Sequence, residues 1–136
     1  MFKLSIVTPE KIVYEGEVSS LIVPGIEGYL GVLSHHAPLI TALQTGKIEF
    51  KSDDGKLHIF AASGGFIEVS NNQATLLADT AEHSEEINVE RAKSAFEKLS
   101  KALEDGEVLA GGVGAFEQKE ALRRAANRLK IYEDTH

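Results

Sequence analysis

Apolar and polar residues alternate over residues 2–8. Phe2, Leu4 and Ile6 fall on one side of an extended chain and Lys3 and Ser5 on the other, which predicts a strand ended by Pro9. Residues 18–23 form a β-branched run closed by Pro24-Gly25, a second strand and turn. Residues 25–39, GIEGYLGVLSHHAPL, hold too many turn-formers for one regular element and read as a short strand between shaped loops. His35 and His36 stand at its far end. Residues 39–43 are apolar, and Thr45-Gly46 turns the chain. Ile48 and Phe50 are expected to face Leu57 and Ile59 across Asp53-Asp54-Gly55, a hairpin signal. Ser63-Gly64-Gly65 breaks the second arm, and Ile67 and Val69 pair with Ala74 and Leu76 across residues 70–73. Short strands turning this often predict a flattened β-sandwich or barrel.

The period changes at residues 82–87. Beyond them Ala92, Ala95, Phe96, Leu99, Ala102 and Leu103 recur at three- and four-residue spacing, one apolar helix face. Asn88 is the expected N-cap, with Glu90 in the first turn, and Asp105-Gly106 the stop. Residues 106–114, GEVLAGGVG, read as a flexible connector. Leu122, Ala125, Ala126, Leu129 and Tyr132 carry a second helix, whose other face holds Lys119, Arg123 and Lys130, with Arg124 and Arg128 four apart. The pattern therefore divides the chain into a β-domain over 1–84 and an α-helical hairpin over 85–136, mainly β plus α. An alanine-rich hairpin buries little surface alone, so it must lean on the β-domain or on another protein, a reasonable basis for a switch.

Composition narrows the chemistry. The 136 residues are 43% hydrophobic, enough for a core, and no cysteine is present, which excludes disulfides, zinc–thiolate sites and thiol nucleophiles. The net charge of −7 argues against a nucleic-acid binder. No run is apolar enough to span a bilayer, so no direct membrane insertion is expected, and the first residues do not read as a secretory signal. All four arginines lie beyond residue 84, and residues 115–132 carry five basic against two acidic side chains. Such guanidinium groups suit an acidic partner or a phosphate, as an alternative to a solvated face. His35 and His36 lack HxH or HExxH spacing, and neighbours on a strand would point to opposite faces, so no metal is expected. No GxSxG elbow accompanies Ser34 or Ser63, and GGVG at 111–114 lacks the Lys-Ser/Thr ending of a phosphate loop. A small β-fold enzyme using His36 therefore has no substrate to suggest it.

Three motifs in order, Glu27-Gly28-x-Leu30-Gly31-(x4)-His36-Ala37-Pro38-Leu39, Ser63-Gly64-Gly65-(x2)-Glu68-Val69 and Leu77-Ala78-Asp79-Thr80-Ala81, resemble the epsilon subunit family of bacterial F-type rotary ATP synthases. The resemblance covers the whole chain. It implies a β-sandwich of about ten strands followed by a helical hairpin, in a non-catalytic central-stalk rotor part that couples proton translocation to ATP synthesis. The implied partners are the gamma subunit, the membrane rotor ring and the alpha/beta catalytic head. The implied place is peripheral, on the cytoplasmic face of the bacterial plasma membrane. Glu27, Tyr29, His36 and Pro38 match the edge meeting the ring and gamma, although Tyr29 stands where the family usually has an acidic or polar residue. The hairpin would switch between a folded form and one extended into the head, restraining ATP hydrolysis, with Arg123, Arg124, Arg128 and Lys130 as contacts.

Some relatives bind ATP on the folded hairpin, and the resemblance maps that motif onto Ile87-Asn88-Val89-Glu90-Arg91-Ala92, with Glu82, Lys98, Arg124 and Arg128. Asn88 replaces the motif aspartate, so ATP binding is expected to be weak or absent. ATP as a regulatory ligand is the alternative reading of the hairpin, and no other cofactor is implied.

Overall fold

The computed structural model describes residues 1–104 and 113–136. They fall into two compact units, Met1–Ser84 and Glu85–His136. The first holds nine strands among the described residues, in keeping with the sandwich of about ten that the resemblance implies: β1 (Phe2–Val7), β2 (Ile12–Gly25), β3 (Gly28–Leu33), β4 (Leu39–Ala42), β5 (Gly46–Ser52), β6 (Leu57–Ser63), β7 (Phe66–Ser70), β8 (Gln73–Leu77) and β9 (Thr80–His83). Their order is β4-β7-β8-β1-β2-β5-β6-β9, with β3 also on β2. Every pairing is antiparallel except β1 with β8, which runs Lys3↔Gln73 to Val7↔Leu77.

β2 belongs to both layers. It starts six residues before the β-branched run that predicted it and continues through Pro24. Its pairing with β5 jumps a residue between Val18 and Ser20. Such a bulge inverts the faces of a strand. Val18 therefore points inward before it, and the odd-numbered Leu21 and Val23 after it. One core results, with Phe2, Leu4, Ile6, Ile67, Val69 and Leu76 from one layer meeting Leu21, Val32, Ile48, Phe50 and Phe60 from the other.

The β5–β6 hairpin differs from its expected register. Phe50 pairs with His58 and Ile48 with Phe60. Ser52 and Lys56 close a three-residue loop in which Gly55 takes φ 81°. A left-handed third loop residue shifts the partner strand by one, which reverses its faces. Leu57 is consequently exposed, while the His58 ring stacks on Phe50 at 4.9 Å between centroids. The Ser52 hydroxyl donates to Asp54, and that bond together with the Lys56 amide holds the Asp54 carboxyl below the usual range. In the β7–β8 hairpin, by contrast, Ile67 pairs with Leu76 and Val69 with Ala74 as the pattern predicts.

After a 3-10 turn at Ser84–Glu86, the second unit consists of α1 (Val89–Glu104) and α2 (Val113–Thr135), packed on each other as a hairpin. Asn88 is the N-cap: its side-chain oxygen accepts the Arg91 N–H at 3.0 Å and its carbonyl the Ala92 N–H at 3.0 Å. The Asp105-Gly106 stop and most of the Gly-rich connector lie outside the described residues. Val113 and Gly114, read as part of that connector, belong to α2. No described helix is long and apolar enough to cross a membrane.

Candidate functional site

The β2–β3 hairpin turns at Ile26-Glu27, between the paired Gly25 and Gly28, and its tip is exposed. Three bonds tie it to the β4–β5 connection: Ile26 N–H to the Ala42 carbonyl at 2.9 Å, Gln44 N–H to the Pro24 carbonyl at 2.9 Å, and Gln44 Nε2 to the Gly25 carbonyl at 2.8 Å. Tyr29 completes the attachment. Its register partner Pro24 has no N–H, and regular pairing of β2 with β5 has already stopped at Ile22↔Glu49. The Tyr29 hydroxyl accepts the Lys47 N–H at 3.0 Å. Gly46 leaves room for this, since a Cβ there would lie 2.8 Å from the phenol oxygen. The ring itself remains 57% exposed. Tyr29 is thus a strap on its own fold as well as a surface. Replacing Tyr29 with Phe should keep the surface and lower stability by about 1 kcal/mol, with faster hydrogen exchange at the Lys47 amide. Unchanged exchange at Lys47 would count against the strap.

β3 ends at Leu33, so His35 and His36 lie in a turn and not on a strand, and the opposite-faces argument does not apply to them. His35 has φ 63°, and its N–H bonds to Asn72 Oδ1 at 2.8 Å. His36 N–H reaches the Leu33 carbonyl at 3.2 Å, and its Nδ1 lies 2.7 Å from the Ala37 carbonyl. A carbonyl only accepts, so this contact assigns the proton to Nδ1 and leaves Nε2 as the nitrogen open to a partner group. Glu27 and Pro38 are exposed, and His36 is half-buried. Among the described residues no cluster of His, Asp and Glu is placed to hold a metal ion.

A second surface escaped the sequence pattern. Register aligns Ala42 with Phe66, Phe66 with Leu77, Leu77 with Val7 and Val7 with Ile12, one residue from each of five consecutive strands. This row lies on the outer face, where Phe66 is 56%, Leu77 55% and Ile12 61% exposed. The next row, Ile40, Glu68, Thr75, Ser5 and Glu15, is mostly polar. A groove of about 650 Å³ lined by Val7, Pro9, Leu43, Phe66 and Leu77 adjoins the apolar row. A contiguous apolar stripe of this kind marks an interaction surface.

On the hairpin, Arg91, Lys98, Arg123 and Lys130 are exposed, while Arg124 and Arg128 are half-buried. Arg123 bonds to Glu120 at 2.9 Å. Ile87 and Ala92 are buried, and the Asn88 oxygen is engaged in its cap. Glu82 lies on β9, opposite Ala61, in the other unit.

Residues 1–84 match the family model described as ATP synthase, Delta/Epsilon chain, beta-sandwich domain. The chain is 46% identical over 127 residues to the ATP synthase epsilon chain of Moorella thermoacetica, covering 93% of this chain and 92% of that one. It is 43% identical over 132 residues to that of Syntrophomonas wolfei, covering 97% and 94%. Among solved structures, a chain of the Euglena gracilis mitochondrial ATP synthase (OSCP/F1/c-ring) superposes with a TM-score of 0.78 at 20% identity, over 98% of this chain and 80% of that one. A chain of the Tetrahymena thermophila mitochondrial ATP synthase central stalk/c-ring gives 0.61 at 14% identity, over 96% and 95%. These two likenesses concern the fold.

Proposed function

Because this chain belongs to the delta/epsilon chain family of ATP synthase, we propose that it is a non-catalytic rotor part of the central stalk, coupling proton translocation to ATP synthesis. The observation that carries the reading is the pair of distinct surfaces on the β-unit. The apolar row of Ile12, Val7, Leu77 and Phe66 fits a permanent protein partner, because burying it removes water from apolar area and is insensitive to salt. The gamma subunit is that partner. The second surface is the braced edge carrying Glu27, Tyr29, His36 and Pro38, which suits the polar loops of the rotor ring. A rotor must transmit torque without yielding, and the edge is fixed by bonds to Lys47, Ala42, Gln44 and Asn72. The protein would then sit peripherally at the cytoplasmic face of the bacterial plasma membrane.

The hairpin is the regulatory part, restraining ATP hydrolysis by extending towards the alpha/beta head, where Arg123, Arg124, Arg128 and Lys130 supply the positive face. A chain truncated after Ile87 is expected to retain the β-unit and support coupled ATP synthesis, while the reconstituted enzyme hydrolyses ATP faster. Equal hydrolysis with and without the hairpin would remove the regulatory role and leave the rotor role standing. Nucleotide sensing finds less support, since Asn88 brings no carboxylate and spends its oxygen on the Arg91 amide.

A further inference from the structure

The structure assigns to Asn72, in the β7–β8 turn, the role of positioning residue for the docking loop 34–38. Asn71 and Asn72 both take left-handed φ values, 51° and 59°. This is the two-residue turn in which glycine is conformationally easiest, and an asparagine at the second position gives up some of that ease. Its side chain supplies a reason. Oδ1 accepts the His35 N–H at 2.8 Å and Nδ2 donates to the Met1 carbonyl at 2.9 Å, so the two bonds fix which way the carboxamide points. The Asn72 carbonyl also accepts the Lys3 N–H at 3.2 Å.

One half-buried side chain therefore joins three segments remote in sequence: the start of β1, the β7–β8 turn and the loop after β3. It acts on the loop at a sensitive point. His35 is itself left-handed, at φ 63°, and the next residue is His36, part of the proposed docking edge. The loop is also held by the longer His36 N–H to Leu33 bond at 3.2 Å and by the Met1 ammonium, which donates to Ser34 Oγ at 2.7 Å. The Asn72 bond is the contact that reaches the His35 backbone N–H itself. Asn72 acts through the backbone of the residue preceding His36.

The inference rests on the docking reading above, and two measurements separate their failures. Asn72→Gly keeps the turn conformation and removes only the side chain, while Asn71→Gly, on an exposed neighbour in the same turn, is the control. Hydrogen exchange on the isolated chain should show the His35 amide exchanging about tenfold faster in Asn72→Gly alone, with the midpoint of thermal unfolding little changed. Binding to an ATP synthase complex stripped of this subunit should weaken about tenfold in Asn72→Gly alone, as expected when a docking loop loses its preorganisation. Unchanged His35 exchange overturns the tether, whatever the binding shows. Faster exchange with undiminished binding overturns the positioning role, and equal weakening by both variants does the same. Failure of the unaltered chain to bind the stripped complex overturns the docking reading itself.

Discussion

Replacing Gly65 with alanine is expected to lower the unfolding midpoint of the β-unit by about 20 °C or more, or to prevent folding altogether. Gly65 sits at the corner between β6 and β7 with φ 103°. A Cβ there would collide with the Leu77 carbonyl oxygen and lie 2.8 Å from the Ala78 Cα. Both obstacles are backbone, so no rotamer change relieves them. The Gly65 carbonyl also accepts the Leu43 N–H at 2.8 Å, so moving the corner disturbs β4 as well. Strain plus overpacking of about 4 kcal/mol would consume much of a small domain's total stability. Gly55→Ala is the useful contrast. Its φ is 81°, but nothing lies within 4 Å of the added carbon, so its cost should stay near 1 kcal/mol. Thermal melts of the two variants followed by circular dichroism make the comparison. Similar midpoints would mean that the corner yields where the geometry says it cannot.

The second large effect concerns assembly. The paired substitution Phe66→Asp and Leu77→Asp should abolish capture by the gamma subunit while leaving the melting curve almost in place. Both side chains are more than half exposed, so the core loses little. They are cross-strand neighbours at the middle of the apolar row, the position where hot-spot residues concentrate. Introducing two carboxylates into a dehydrated interface should weaken binding by at least roughly 100-fold. Isothermal titration with purified gamma measures it, and the unaltered affinity should change little with added salt. Undiminished binding by the doubly substituted protein would move the gamma contact elsewhere.

The two surfaces were unequally legible. The braced edge announced itself because its glycines, histidines and proline are contiguous in the chain. Its attachments did not, since the Tyr29–Lys47 and His35–Asn72 bonds join residues 18 and 37 positions apart. The apolar row was hidden for a related reason. Each strand contributes one apolar residue near its end, exposed or half-buried, which by itself resembles ordinary surface, and only register brings the five together. The start of α1 was clearer, because Asn88 acts through bonds three and four residues away and caps read locally. Periodicity located β5 and β6 but missed their register, because one left-handed glycine in the loop reverses which residues of β6 face inward. The bulge after Val18 inverted β2 in the same way, inside what looked like a uniform β-branched run.

The parallel pairing of β1 with β8 has a consequence for how the chain is made. Residues 2–7 leave the ribosome well before residues 73–77, and one flank of their strand stays vacant until those have followed. At about 5–20 residues per second that interval lasts several seconds. During it the nascent chain can form the β2–β3 and β5–β6 hairpins from near neighbours, but it cannot close the layer that holds Leu4 and Ile6. The first of the nine strands is thus enclosed only after seven others have been made. A chaperone that binds apolar nascent segments would find its target in β1, and stalled chains ending before residue 73 should be sensitive to protease there.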